Sequence, residues 1–425
     1  MRYDTYPFGR AEQISQPAVI ATYLASGVDC ADILRRAGLF AVGQTVGTWV
    51  KVPGISQDMV EQYQGRVLAV WGAGDEDLGG CGRYVIRVAF PAANFGSSLT
   101  MLLTALVGND VSTALRVRLL DIELTGGAAA RFLGPQLGIE HLRRMTGVYG
   151  RPLLLNMIKP CAGFSPTEGA RLFEQVARGG VDLIKDDELL ASPEYNQVIE
   201  RFRAYQAVAK AVAEENGKQP LYLPNITGTP SQMMDSAAAL YEAGAQACLV
   251  NFVFSGLDTL RELTDRFGDQ MFIMGHYAGV GVLDARDCGI ADAVMLGILP
   301  RLAGAHTVMT MAPAEGDGAA WHRFRQIVQA QRLPMGGLAP LITAVGGGIT
   351  PVSQAVWQRE LGPDTIIGIG GAIQGHPMGT TAGAEAAVCA VEATAQGIPL
   401  HEAAQACEAL ARALVLWGDE QKVDP

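Results

Sequence analysis

From Arg151 to Gly370 the chain repeats one unit eight times: a short apolar run, a polar or glycine-rich turn, and usually an amphipathic stretch. The runs are Leu153–Ile158, Val181–Lys185, Leu221–Ile226, Ala247–Phe252, Met271–His276, Thr307–Met311, Leu341–Gly346 and Thr365–Gly370. Stretches with helical spacing follow most of them, among them Thr167–Arg178, Asn196–Glu215, Ser231–Ala243 and Thr259–Phe267. Short runs without polar alternation read as strands buried on both faces. Eight strand–helix pairs over about 250 residues are what a closed (β/α)8 barrel requires. A doubly wound open sheet is the alternative, and it seldom needs eight successive units. A helical stretch over Leu400–Trp417 closes the chain.

The 425 residues exceed what one small core needs, which makes two domains the natural division. Residues 1–17 read as a loose polar arm. Strands are expected over Val19–Tyr23, Thr45–Val52, Arg66–Trp71, Tyr84–Ala89 and Ala114–Leu124, with helices near Asp29–Ala37, Ser56–Tyr63 and Ser97–Leu106. Adjacent strands with few βαβ units describe an α+β domain. The expected division is 1–145 for this domain and 146–425 for the barrel with its helical tail.

In a barrel the chemistry lies at the C-terminal strand ends, on the βα loops. The second run ends in Lys185-Asp186-Asp187-Glu188. Strand side chains alternate faces, so Lys185 and Asp187 project together and Glu188 follows where the strand gives out. Carboxylates beside an amine form an oxygen-rich site for a hard divalent cation, or an ordinary solvated salt bridge. Lys159 ends the first run and reads as a proton carrier, a Schiff-base nucleophile or a surface lysine. His276 ends the fifth and reads as ligand, base, phosphate donor or structural histidine. His306 and His376 carry weaker signals, the second in a turn-forming Gly375-His376-Pro377. Gly346-Gly347-Gly348 and Gly370-Gly371 follow the seventh and eighth runs. In barrels those two loops hold phosphate, because bare backbone N–H groups can approach the anion.

A formal charge of −11 argues against a nucleic-acid or anionic-membrane surface. Seven scattered cysteines without a CxxC pair point to a reducing compartment, with neither a disulfide framework nor a zinc site. Without a signal-peptide core or an apolar run of spanning length, the expected location is the cytoplasm.

Taken together, these residues resemble the large subunit of ribulose-bisphosphate carboxylase (RuBisCO) and the RuBisCO-like proteins. The anchors are Lys159-Pro160 with Gly163, Gly180-Val181-Asp182 with Lys185-Asp186-Asp187-Glu188, Gly347-Gly348-Ile349, and Gly370-Gly371 with Gly375-His376-Pro377. The resemblance implies a ferredoxin-like N-terminal domain, a C-terminal TIM barrel, and a homodimer whose active site lies at the subunit interface. It implies that Lys185 takes up CO2 as a carbamate and holds Mg2+ with Asp187 and Glu188. It further implies a small phosphorylated, sugar-like substrate. Gly347, Gly348, Gly370 and Gly371 would hold the phosphate, with Thr48 and Trp49 supplied by the partner subunit. Lys159 would move a proton, and His276 would face the metal-bound part of the substrate.

Departures from the carboxylase pattern argue against CO2 fixation. Cys161 stands where carboxylases resemble one another in a second lysine, Tyr277 replaces a phosphate-binding arginine, and Gly346 replaces a serine. Val308 stands in for a histidine, and the segment Met309–Gly318 has no lysine. Two reactions then fit one phosphate site. Methionine-salvage enolases, which act on 2,3-diketo-5-methylthiopentyl 1-phosphate, carry a basic lysine where Asn109 falls here. Decarboxylation or C–C cleavage of a phosphorylated 3-keto sugar acid, as in apionate-type catabolism, needs an electron sink more than that base, and is the reading preferred at this level. A non-catalytic relative and a Schiff-base aldolase acting through Lys159 are further alternatives.

Overall fold

The computed structural model describes residues 16–47, 52–73, 82–285, 287–314 and 316–418. They form two compact units, one of residues 1–134, 279–303 and 326–340, the other of 135–278, 304–325 and 341–425.

The first unit is built on a five-stranded mixed sheet. Its strands are β1 (Ala18–Gly27), β2 (Arg66–Gly72), β3 (Gly82–Pro91), β4 (Val117–Thr125) and β10 (Gly289–Ile290), in the order β10-β4-β1-β3-β2. β1 pairs antiparallel with β3 and β4 along its length and is buried almost throughout, as a central strand should be. The two residues of β10 add in parallel to β4 at Arg118 and Leu119. Helices α1 (Cys30–Gly43) and α2 (Leu99–Val107) belong to this unit, and Tyr23 donates its hydroxyl to the Leu106 carbonyl at 2.8 Å, pinning β1 to α2. The expected strand over Thr45–Val52 is not formed in its described part: residues 44–46 turn out of α1, and residues 48–51 lie outside the described residues. Thr45 caps that turn instead, its hydroxyl donating back to the Ala41 carbonyl at 2.8 Å.

The second unit is the barrel. Eight parallel strands run in the order β7-β6-β5-β13-β12-β11-β9-β8. They are β5 (Leu153–Met157), β6 (Leu183–Lys185), β7 (Leu221–Leu223), β8 (Ala247–Val250), β9 (Phe272–His276), β11 (Thr307–Met311), β12 (Ile342–Gly346) and β13 (Thr365–Ile369). The sheet closes between β7 and β8, where Leu249 donates to Pro224 at 2.9 Å and Ile226 donates to Leu249 at 3.0 Å. Proline has no N–H, which is why this seam is a bridge rather than a full ladder and why β7 stops short of Ile226. Helices α3 (Pro166–Arg178) and α5 (Pro230–Glu242) begin one residue earlier than spacing suggests, because Ser165/Glu168 and Thr229/Gln232 are capping boxes followed by proline. Helices α4 (Val198–Asn216) and α6 (Leu257–Phe267) complete the first half.

Strand alternation sorts side chains into an interior set and an outer set. Leu153, Leu155, Leu183, Leu221, Leu223, Ala247, Leu249, Phe272, Met274, Met309, Ile342, Ala344 and Ile366 share one buried cluster. Two residues onward in the same phase lie Lys185, Asn225, Asn251, His276 and Gly346. A chain that fills a barrel with Leu, Met and Ala therefore delivers its polar residues to one mouth.

His306 lies at the start of β11, away from that mouth. Its Nδ1 accepts from the Ile273 N–H at 2.8 Å and its ring stacks on Phe272. Burial pushes it down to about 4. A histidine depressed in the folded state binds its proton preferentially when unfolded, so its contribution is full above the ordinary value of 6.5 and is lost as pH falls from there toward 4. The expected result is an acid-side loss approaching about 1.4 kcal/mol per pH unit from this group alone. Urea titrations at pH 7 and pH 5 should show a shallower loss in His306→Asn than in the wild type. Equal losses in both proteins would assign the acid sensitivity to other groups.

Candidate functional site

The mouth of the barrel holds a cavity of about 480 Å³. Lys159, Lys185, Asp187, Glu188, His276, Gly347, Gly348, Gly370 and Gly371 all line it. So do Met157, Tyr277, Met309, Gly346, Ile349, Ala372 and Trp417. Thr48 and Trp49 lie outside the described residues.

Lys185 is the last residue of β6 and completely buried. Its Nζ donates to the Asp186 carbonyl at 3.0 Å and stands 3.7 Å from Glu188 Oε2. Burial pulls its pKa below the usual lysine range, against the opposing pull of Glu188, Asp187 and Asp186. An uncharged amine is the form that can add CO2. Asp187, equally buried, accepts from Lys159 Nζ at 2.5 Å and from the Leu189 N–H at 3.1 Å. Burial alone would raise Asp187; Lys159 and that N–H outweigh it and hold the carboxyl below its usual range. Lys159 also donates to Cys161 Sγ at 3.1 Å. Burial lowers it, but the bonds to Asp187 and Cys161 carry it above the usual lysine range, so it is a cation here.

His276 Nε2 lies 3.5 Å from Glu188 Oε2, and its Nδ1 accepts from the Ala278 N–H at 3.2 Å. That bond leaves the ring proton on Nε2, directed into the cavity. Burial, aided by Lys185 and Lys159, takes His276 down to about 3, so the ring is a neutral donor. The backbone of Glu188 is held in turn: its carbonyl accepts from Asn225 Nδ2 at 3.2 Å and Asn251 Nδ2 at 2.8 Å. The middle acid of the motif takes no part in the cavity. Asp186 points to the opposite face, where it accepts from Arg201, Tyr222 and the Asn225 N–H.

The glycine loops divide in two. A Cβ at Gly348 or Gly371 would meet nothing within 4 Å, so those faces are open to a ligand. A Cβ at Gly347 would sit 2.3 Å from Met311 Sδ, and its φ of +98° is one that L side chains rarely adopt. Gly347→Ala is expected to cost about 1–2 kcal/mol from backbone conformation, and, because Met311 has to shift, to weaken binding of an anion such as phosphate if the loop takes one. Thermal unfolding and phosphate calorimetry check the two effects separately; an unchanged melting point and affinity would refute them.

Val308 is buried and pairs in β11 one residue out of phase with the cavity. Met309, in register with His276, is the residue that reaches it. His376 shapes a turn: its Nδ1 accepts from the Met378 N–H at 3.2 Å and its Nε2 meets the Ala409 carbonyl at 3.0 Å. That contact secures the C-terminal helix (Glu408–Trp417), whose last residue, Trp417, lines the cavity. Sequence spacing carried no signal for Trp417 as a lining residue.

A barrel with a lysine–carboxylate mouth and glycine-rich loops after its seventh and eighth strands defines a class. Residues 138–417 match the ribulose bisphosphate carboxylase large chain, catalytic domain, and residues 12–125 match its N-terminal domain. The chain belongs to the RuBisCO large-chain family. Within it, the chain is 34% identical over 385 residues to a ribulose bisphosphate carboxylase-like protein of Archaeoglobus fulgidus, covering 89% of this chain and 88% of the other. It is 34% identical over 412 residues to the 2,3-diketo-5-methylthiopentyl-1-phosphate enolase of Geobacillus thermodenitrificans, covering 94% and 98%. The crystal structure of a rubisco-like protein from Alicyclobacillus acidocaldarius superposes with a TM-score of 0.87 at 33% identity, over 95% of this chain and all of that one. The octameric Rubisco of Pyrococcus horikoshii gives 0.86 at 28% identity, over 96% and 94%. Among the described residues no helix is long and apolar enough to cross a membrane.

Proposed function

We propose that this protein is a Mg2+-dependent enolase of the RuBisCO-like class, acting on a phosphorylated diketone of the 2,3-diketo-5-methylthiopentyl 1-phosphate kind. The carrying observation is the convergence of Lys159, Lys185, Asp187, Glu188 and His276 with two open glycine faces in one cavity. Full-length similarity to relatives bearing that enolase name supports enolisation over the decarboxylation that sequence reading preferred.

The donor set fits a hard cation once Lys185 is modified. Among the described residues no three His, Cys, Asp or Glu side chains come together at ligating distance, so the unmodified chain offers only the Asp187 and Glu188 carboxylates. A carbamate on Lys185 supplies the third oxygen anion that such an ion needs. When bound, Mg2+ supplies positive charge that stabilises the negative charge of an enolate. Lys159 moves the substrate proton at Nζ, and engagement of Asp187 as a ligand frees that amine from its present partner. His276 donates from Nε2 to a substrate oxygen. Backbone N–H groups of Gly348 and Gly371 take the phosphate, with Gly347 and Gly370 shaping the seat. We further propose a homodimer in which Thr48 and Trp49 of the partner subunit complete that seat.

Asn109 favours the second reading. It is the N-cap residue of a short helix at Asp110–Thr113, and an asparagine cannot serve as the first-domain base. One experiment separates the two: the protein with Mg2+ and bicarbonate is offered the methylthio diketone and, separately, phosphorylated 3-keto sugar acids. Enolate absorbance without gas release supports enolisation, whereas CO2 release from the acids alone replaces it with decarboxylation. Turnover of neither removes both.

A further inference from the structure

The C-terminal helix, Glu408–Trp417, is 10 residues long. An isolated helix needs roughly 12–15 residues to persist in water, so this one depends on packing. That packing is thin. Ala409, Leu410 and Ala413 are its buried residues, set in one cluster with Ala386, Ala390 and Ala393 of the helix Thr380–Ala395. Alanine side chains bury little apolar surface, and a helix held mainly by them opens readily on its own. Two cysteines stand across this joint. Cys389 belongs to Thr380–Ala395, and Cys407 is the N-cap residue of the C-terminal helix, where its side chain makes no capping bond. Both are free and half-buried, both pack against the same alanine cluster, and their thiols meet in a hydrogen bond.

We propose that Cys389 and Cys407 form a reversible disulfide that clamps the C-terminal helix, and with it the Trp417 side of the cavity, when the surroundings become oxidising. Side chains already in contact need little backbone movement to close an S–S bond. Burial, then the neighbouring Cys407 thiol, Glu392 and Glu385, push Cys389 up to about 12, so at neutral pH it stays a protonated thiol. Cys407 therefore meets the oxidant first. Its thiol loses a proton, attacks one sulfur of a small disulfide such as oxidised glutathione, and releases a glutathione thiolate that takes the proton up. Cys389 then attacks the Cys407 sulfur and releases the second glutathione, which takes the Cys389 proton. Two protein thiols lose two electrons, and one glutathione disulfide gains them as it becomes two thiols. The new bond fixes the start of the helix to its neighbour, where the His376 contact at Ala409 is otherwise the polar tie. Trp417 ends the same helix in the wall of the cavity, so the clamp reaches the site whichever reaction is performed there.

The test uses the full chain in reduced and in oxidised glutathione, read by peptide mass spectrometry and by hydrogen–deuterium exchange. An excess of oxidised glutathione should link the Cys389 and Cys407 peptides with loss of two hydrogens, and dithiothreitol should undo the link. Amide exchange over Glu408–Trp417 should slow by about 10-fold or more in the linked protein. Cys389→Ala should instead hold one glutathione on Cys407, the intermediate that the missing thiol cannot resolve. Neither Cys389→Ala nor Cys407→Ser should show the slowing. Peptides that stay unlinked in the folded protein overturn the disulfide. A link that leaves exchange unchanged as far as Trp417, or slowing that appears in either variant, overturns the clamp.

Discussion

Replacing Lys185 with methionine is expected to leave the fold standing while removing turnover and bicarbonate-dependent Mg2+ binding together. The side chain is completely buried, and its amine has the Asp186 carbonyl and Glu188 as neighbours. Methionine fills the volume of the stem and discards an amine whose charged form burial already disfavours. The stability change should therefore stay within about 1.5 kcal/mol, the range for volume-conserving core exchanges. Function is different, because two carboxylates remain where three oxygen anions are needed. Turnover should fall by about 1,000-fold or more, in keeping with several kcal/mol of lost charge stabilisation. Calorimetry with and without bicarbonate, alongside urea unfolding, gives both halves of the result. A methionine variant that still bound Mg2+ tightly, or a wild type indifferent to bicarbonate, would remove the carbamate from the mechanism.

That prediction stands on a feature legible in the sequence. Alternation along a strand says that Lys185 and Asp187 share a face and Asp186 does not, and the structure separates them that way. The same rule places His276 in phase with Phe272 and Met274, so a barrel reading of eight apolar runs already implies a common mouth. In β11 the same rule puts Met309, paired with His276, in the cavity, and leaves Val308 out of phase with it. Some features had no local signal. β10 is two residues long and joins a sheet formed more than 160 positions earlier, through pairing that nothing in Gly289-Ile290 announces. Trp417 reaches the cavity because a turn at His376 fixes a helix at Ala409, a contact between segments that spacing cannot relate. The preference for decarboxylation rests on one position, Asn109, and whole-chain similarity to enolases outweighs it. Asn109 remains unexplained by that similarity.

The largest stability effect is expected at Arg201, a residue with no sequence signal beyond its place in α4. Its guanidinium is fully buried and spans three segments. It donates to Asp186 Oδ2 from Nε at 3.1 Å and Nη2 at 2.8 Å, to the Asn196 carbonyl at 2.8 Å, and to the Ala191 carbonyl at 2.6 Å. Asp186 also accepts from the Tyr222 hydroxyl at 2.7 Å and the Asn225 N–H at 2.8 Å. This cluster ties the end of β6 to β7 and to the loop that carries Asp187 and Glu188. Arg201→Met strands a buried carboxylate and leaves two carbonyls without their donor, which should cost about 3–5 kcal/mol. Arg201→Lys keeps the charge but cannot reach Asp186, Ala191 and Asn196 from one planar fork, so it should recover only part of the loss. Tyr222→Phe removes one donor among four and should cost about 1 kcal/mol. Urea midpoints should follow that order, and Mg2+ affinity should fall in the same order because the loop holding the carboxylates loosens as its anchors go. If Arg201→Met unfolded within about 1 kcal/mol of the wild type, the cluster would not be what holds that loop, and the fixed position of Glu188 would have to come from Asn225 and Asn251 alone.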